Sequence, residues 1–267
     1  MASEKLYVLI TGGTTGIGFE LAKLFARDGY NLIIVARKQD ELDKATTELI
    51  KRFNVEVLTF PKDLFDPFNA FRLYDEIKAK GIEVGTLVNN AGHGHYGKFA
   101  ESSLTTELDI IHLNISSLVI LTKLFLKDML KRGEGKILNV SSVAGKFPGP
   151  YQSVYHGTKA FVQSFSEALH YEVKDQGITV TSLLPGATDT DFFRKADMES
   201  SKLVQDHELL ADPADVAWEG YVGLMAGKDM VVPGFKNKMH VKISGILSDE
   251  FKAEKAAKLQ EPVDGEE

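Results

Sequence analysis

The 267-residue chain contains no cysteine, which excludes disulfide frameworks and thiolate metal sites. It carries no excess of positive charge: 31 Lys and Arg stand against 38 Asp and Glu, a net of −7. General affinity for nucleic acid or an anionic membrane is therefore not expected. No uninterrupted run approaches the roughly 18 apolar residues of a bilayer span, and "MASEKLYVLI" does not read as a secretory leader. Repeats and low-complexity linkers are absent too. These absences together lead to the expectation of a soluble, cytoplasmic protein with no membrane and no nucleic-acid partner.

What remains is an ordinary globular composition, 43% hydrophobic and 26% charged, in a length that suits one α/β domain. The charge is uneven. Residues 249–267 hold seven acids and three lysines, a net of −4, so the preceding body carries only −3. Short apolar runs alternate with helical patterns: "LYVLIT", "NLIIVA", "EVLTFPKD", "GTLVNNAG", "GKILNVSS" and "ITVTSLLPG" read as six strands. Strands apolar on both faces, separated by helices, imply a parallel sheet covered on both sides. The expected architecture is a single doubly wound α/β domain, the Rossmann arrangement, over residues 1–248. A charged tail follows over 249–267, read as a frayed helix or a disordered segment.

Between the first strand and the first helix lies "TGGTTGIG". Gly12, Gly16 and Gly18 make a tight turn that brings backbone close to a pyrophosphate at a helix N-terminus. Thr14, Thr15 and Ile17 complete that loop. An acid about 20 residues further on usually binds the adenosine ribose. Here the second strand ends in Ala36, Arg37 and Lys38, so a 2′-phosphate is favoured and the expected cofactor is NADP(H).

Two Tyr-x-x-x-Lys pairs compete for a chemical role, Tyr155/Lys159 in "VYHGTKAF" and Tyr74/Lys78 in "LYDEIK". On a helix either pair shares one face. Thirteen residues before Tyr155 is Ser142, at the end of the fifth strand; thirteen before Tyr74 is Pro61, which has no hydroxyl. The C-terminal ends of parallel strands open onto the ligand crevice, which favours the first pair.

Taken in order, the glycine loop, "NNAG" at 89–92, Asn114 in "HLNISS", Ser142, Tyr155, Lys159 and "PGATDT" at 185–190 resemble the short-chain dehydrogenase/reductase family. The resemblance runs through nearly all of residues 5–235. It implies a catalytic set of Asn114, Ser142, Tyr155 and Lys159, with Lys159 also holding the nicotinamide ribose and Asn114 ordering a proton-relaying water. It further implies cofactor contacts from Asp63, Leu64, Asn90, Ala91, Gly92, Pro185, Gly186, Thr188 and Thr190.

An ordinary tyrosine loses its proton near pH 10. An ammonium ~4 Å away at an effective dielectric of ~20 favours phenolate by roughly 4 kcal/mol. Tyr155 is thus expected to have a lowered pKa and to act as acid for reduction and base for oxidation. Ser142 would donate a hydrogen bond to the substrate oxygen.

His93 and His95 have no carboxylate or thiolate at ligand spacing, so no metal is expected. The substrate pocket is expected to draw on His95, Tyr96, Ser142, Phe147, Tyr151 and Phe192, beneath a lid over 189–211. Surplus apolar surface on the helices near 105–132 and 153–176 suggests an isologous homodimer, with a homotetramer also open. The leading functional expectation is NADPH-dependent reduction of a ketone or aldehyde to the alcohol. Reduction of a 3-oxoacyl thioester is the alternative, and a non-catalytic NADP(H)-binding regulator is the reading of another class.

Overall fold

The computed structural model describes residues 6–206, 209–245 and 247–261. Seven parallel strands form one sheet in the order β3-β2-β1-β4-β5-β6-β7. In chain order they are β1 (Tyr7–Thr11), β2 (Asn31–Ala36), β3 (Val57–Pro61), β4 (Val84–Asn89), β5 (Gly135–Val140), β6 (Ile178–Leu183) and β7 (Met230–Val231). The doubly wound α/β expectation holds. The seventh strand, two residues long, is too short to leave a pattern in the sequence.

Alternate residues of each strand feed opposite cores, as the pleat requires. Val8, Ile10, Leu32 and Ile34 face α1 (Gly16–Arg27), α2 (Gln39–Arg52) and α9 (Pro213–Met225), where Phe25, Leu49 and Leu224 complete the layer. Leu9, Ile33, Leu87 and Ile137 face α3 (Phe68–Ala79), α5 (Leu118–Arg132) and α6 (Ser153–Val173), against Leu73, Phe125 and Leu169. The order reverses on either side of β1: β2 lies to one side and β4 to the other. That reversal opens a crevice at the C-terminal strand ends.

Helix α4 (Leu104–Ile111) continues through a π-helical segment, His112–Ser117, into α5. The wider turn is the kind of irregularity that often marks a functional site, and Asn114 sits at its centre. The remaining helices close the cleft: α7 (Phe192–Lys195), α8 (Lys202–Gln205), α10 (Phe235–Ser244) and α11 (Asp249–Gln260). The expected frayed tail is therefore a helix as far as Gln260, capped by Ser248, whose hydroxyl accepts from the Phe251 N–H. Residues 262–267 of that tail lie outside the described residues.

Candidate active site

The glycine loop leaves β1 and enters α1 with room for a phosphate. Gly12 and Gly16 have φ of 64° and 55°, left-handed values that favour glycine. A β-carbon on Gly18 would lie 2.3 Å from both Asn90 Nδ2 and the Gly12 carbonyl oxygen, so the loop and α1 meet too closely for any side chain. Asn90 fixes this corner, donating from Nδ2 to the carbonyls of Thr11 (3.0 Å) and Gly12 (2.9 Å). Thr15 makes no side-chain cap and the first turn of α1 holds no acid, so its amides face the cleft uncapped. This cradle fits the phosphates of a dinucleotide.

At the end of β2, the Arg37 guanidinium lies 5.0 Å from the Phe65 ring centroid and has no carboxylate partner among the described residues. Lys38 is paired with Glu41 at 3.2 Å. Asp63 turns the chain after β3, accepting from the Phe65 N–H at 3.1 Å. Leu64, Ala91, Gly92, Pro185, Gly186, Thr188 and Thr190 line the same cavity, as do Thr14 and Ile17.

The four expected catalytic residues converge on this cleft from β5, α6 and the π segment. Tyr155 and Lys159 lie one turn apart on α6, with the Lys159 ammonium 5.7 Å from the phenol centroid. Lys159 Nζ donates to the Val140 carbonyl at 2.9 Å. Ser142 Oγ accepts from the Ala144 N–H at 3.1 Å, donates to the Pro185 carbonyl at 3.3 Å and lies close enough to the Tyr155 phenol to lower its pKa. The Asn114 amide is clamped, its Oδ1 accepting from the His93 N–H and its Nδ2 donating to the His93 carbonyl, each at 2.9 Å. A second donation reaches Thr158 Oγ1 at 3.0 Å. The point where a β-carbon on Gly92 would sit is 3.3 Å from Lys159 Nζ and 3.5 Å from Asn114 Oδ1. Gly92 thus keeps open a gap between these two groups.

The electrostatics reverse one expectation. Burial pushes the Tyr155 phenol up to about 12, with the Ser142 hydrogen bond pulling weakly the other way. Burial also drives Lys159 down to about 8. Burial dominates at both groups, and it disfavours the charged form of each. Tyr155 is consequently a neutral phenol at pH 7.

The substrate side departs further from expectation. Phe147 and Phe192 line the cleft, and the Phe192 ring lies 5.2 Å from that of Tyr155. His95, Tyr96 and Tyr151 do not reach the cavity surface. Tyr96 packs on Tyr151 with centroids 5.7 Å apart, and its hydroxyl donates to the Gln260 carbonyl. His95 faces Asp197 at 3.9 Å. His93 takes the lining position, packed edge-on to Phe65, and burial lowers its pKa. Among the described residues no cluster suited to a metal ion is present.

Three buried polar residues near Tyr155 escaped the sequence reading. Gln152 is buried in the wall and its Nε2 has no partner. His156 Nδ1 donates to the Phe147 carbonyl at 2.8 Å, which leaves Nε2 to accept from Gln260 Nε2 at 3.1 Å. Burial lowers the His156 pKa, consistent with a neutral ring. Gln260 comes from the segment read as a charged tail. Only the adjacency of Gln152 and His156 to Tyr155 offered a signal.

A cavity of about 1050 Å³ runs from the glycine loop past Tyr155 to α10 and α11. A doubly wound sheet with this loop and this tyrosine, lysine, serine and asparagine grouping defines a dinucleotide-dependent oxidoreductase class. Residues 6–200 match the short chain dehydrogenase family, and the chain belongs to that family of oxidoreductases. A very-long-chain 3-oxoacyl-CoA reductase from Bos taurus is 38% identical over 187 residues, covering 67% of this chain and 58% of the relative. The match thus spans somewhat over half the length of that relative.

Among solved structures, a short-chain dehydrogenase from Sphingobium yanoikuyae in complex with NADPH is 29% identical with a TM-score of 0.80. That alignment covers 91% of this chain and 96% of the other. The bulky-bulky ketone specific alcohol dehydrogenase from Comamonas testosteroni is 25% identical with a TM-score of 0.77, covering 91% and 94%.

These relatives overturn the expectation of a cytoplasmic, membrane-free protein. Their named substrates carry very long acyl chains, and each methylene withdrawn from water favours a lipid phase by about 0.8 kcal/mol. The helical run Leu104–Arg132 is also long and apolar enough to cross a membrane by length and composition, while one face of it packs on the sheet here through Leu121, Phe125 and Met129. Asp109, Asn114 and Lys123 interrupt its apolar pattern in the sequence.

Proposed function

We propose that the chain reduces 3-oxoacyl thioesters of long acyl chains to 3-hydroxyacyl thioesters, with NADPH as the hydride donor. The observation that carries this reading is the apolar wall beside Tyr155. Phe192, Phe193, Met198, Leu203 and Leu210 line the cleft there, and Phe193 and Met198 are buried. Such a wall suits an acyl chain, and the 38% identical relatives are named for that substrate. NADPH over NADH is favoured by Arg37, a guanidinium without a carboxylate partner where the adenosine ribose would lie.

A bound nicotinamide dinucleotide would supply hydride to the substrate's C3. The glycine loop and the N-terminus of α1 would hold its phosphates, and Lys159 its nicotinamide ribose. Tyr155 gives its phenolic proton to the C3 oxygen, and Ser142 donates a hydrogen bond to that oxygen as negative charge develops. Lys159, with a pKa near 8, restores the proton to Tyr155, and Asn114 orients water across the gap that Gly92 leaves open. We also place a homodimer contact on α4 and α6, where Leu104, Leu108 and Phe161 are exposed; Phe165, by contrast, packs against the core. Light scattering that finds only monomer would remove that contact.

Reduction of simple bulky ketones is the second reading, favoured by the likeness to the Comamonas enzyme. NADPH and NADH oxidation measured against 3-oxoacyl thioesters and matched ketones separates the two. The thioester reading expects the highest kcat/KM with NADPH and a long-chain 3-oxoacyl thioester. Turnover of ketones alone would overturn it.

A further inference from the structure

The inner face of α11 differs in charge from the segment that contains it. Residues 251, 252, 255, 256, 259 and 260 line the cleft, a spacing that places them on one side of the helix. Lys252 and Lys255 are therefore turned inward, together with Phe251 and Leu259. The acids Asp249, Glu250 and Glu254 are not part of the lining, and Glu254 pairs outside with Lys258 at 2.7 Å. From α10, Lys236 and His240 add to the same wall, which receives no carboxylate from either helix. Two of the three lysines of an acidic tail thus face the cavity.

These cations come from other elements than the glycine loop and Arg37, which belong to the turn after β1 and the end of β2. Helices α10 and α11 follow β7 in the chain, and Asn237 of α10 packs against Gly186. They are nevertheless tied to the reacting centre, because Gln260 ends α11 against His156, the neighbour of Tyr155. A rise of ~1.5 Å per residue puts Lys255 about 8 Å and Lys252 about 12 Å along the helix from that buried end toward the cleft mouth.

We propose that Lys252 and Lys255, with Lys236, form a binding site for the diphosphate and 3′-phosphate of coenzyme A. The identity of the ligand rests on the thioester reading above. Lysine is a point-charge partner for phosphate, and the apolar residues between the cations suit the pantetheine arm that joins thioester to nucleotide. Lys252 is side-chain buried to 13% exposure and paired with Asp249 at 2.5 Å. That carboxylate is 86% exposed, so water can solvate it when a phosphate takes its place. Lys255 lies 5.6 Å from the Phe251 ring, which steadies its stem. The outward acids oppose an acidic carrier protein at the same mouth, which makes the free nucleotide thioester the preferred form.

Calorimetric titration of coenzyme A into the NADP-loaded full chain tests the site directly. The double variant Lys252→Ala/Lys255→Ala is expected to weaken binding about tenfold and to flatten its salt dependence, at roughly threefold per phosphate contact. Lys255→Gln alone should weaken it about threefold, and Lys258→Ala, on the outer face, should not change it. Equal affinity in parent and double variant, or no binding to the parent, overturns the proposal. Turnover of a 3-oxoacyl N-acetylcysteamine thioester, which has no phosphate, judges the catalytic reading separately. Its absence would refute thioester reduction while leaving lysine-dependent coenzyme A binding to stand or fall by the titration.

Discussion

Tyr155/Lys159 and Tyr74/Lys78 share residue types, spacing and helical setting, yet their surroundings give them opposite properties. Burial pushes Lys78 down, but the carboxylates of Glu83 at 2.6 Å and Asp128 at 3.2 Å more than reverse the effect and leave its pKa raised. The Tyr74 hydroxyl donates to Asp128 at 3.0 Å, and its ring packs edge-on against Phe125. That pair ties α3 to α5 and is neither catalytic nor mere surface ornament. Lys159 has only a backbone carbonyl as hydrogen-bond partner, and no carboxylate among the described residues offsets its burial. A lysine left poorly compensated is one that can exchange a proton near neutral pH.

The largest effect should separate the pairs outright. Tyr155→Phe is expected to lower turnover by about 10³-fold or more while cofactor binding, followed by fluorescence, persists. Tyr74→Phe should leave turnover within about twofold and cost about 1 kcal/mol in denaturant unfolding, the worth of one hydrogen bond. Equal losses in both variants would erase the distinction.

Next in size is pH. Reduction should fall about tenfold per unit as pH rises through about 8, where Lys159 loses its proton. The stability sign follows from the same lowering. Between about 8 and 10.5 the unfolded chain holds a proton on this lysine that the folded chain has released, so stability rises with pH across that window by about 3 kcal/mol. Lys159→Met should therefore raise stability at pH 7 by about 1–3 kcal/mol, less the unpaired Val140 carbonyl, while losing activity. Thermal unfolding at pH 7 and 10 checks it; a destabilised variant would show that the charge is compensated.

The smallest effect sharpens the relay. Gly92→Ala places a methyl 3.3 Å from Lys159 Nζ and 3.5 Å from Asn114 Oδ1, in the gap between them. A several-fold drop in kcat with cofactor affinity held is expected, on the order of 1 kcal/mol. An unchanged kcat would mean that no water crosses there.

How much of this was legible in the sequence follows from the kind of signal involved. Six strands could be read because each is apolar on both faces, and the glycine loop because its backbone admits no side chain at Gly18. The tyrosine–lysine choice turned on Ser142, since topology gathers strand ends at one edge. Side-chain direction was not legible: Tyr96 and Tyr151 neighbour the active site in sequence but turn toward one another and Gln260. Nor was the sign of the Tyr155 shift, because one residue spacing says nothing of how deeply both groups are buried. The helix at 249–260 was read as tail because composition averages its two faces; only three-dimensional placement separates its inner lysines from its outer acids.

The junction of α11 with the active site also bears on the order of assembly. Gln260 meets His156 across 104 residues of chain and Tyr96 across 164. Closure cost grows only slowly with loop length, but these contacts need α6 and the segment after β4 already in place, so they are expected to form after β1 has joined β2 and β4. The cofactor end of the cleft can therefore be complete while its substrate end is still open. The same few contacts make α11 an element that detaches at low free energy, ahead of any strand. Access to the apolar wall beside Tyr155 is therefore expected to follow a local unfolding equilibrium at one helix, while the Rossmann core need not move.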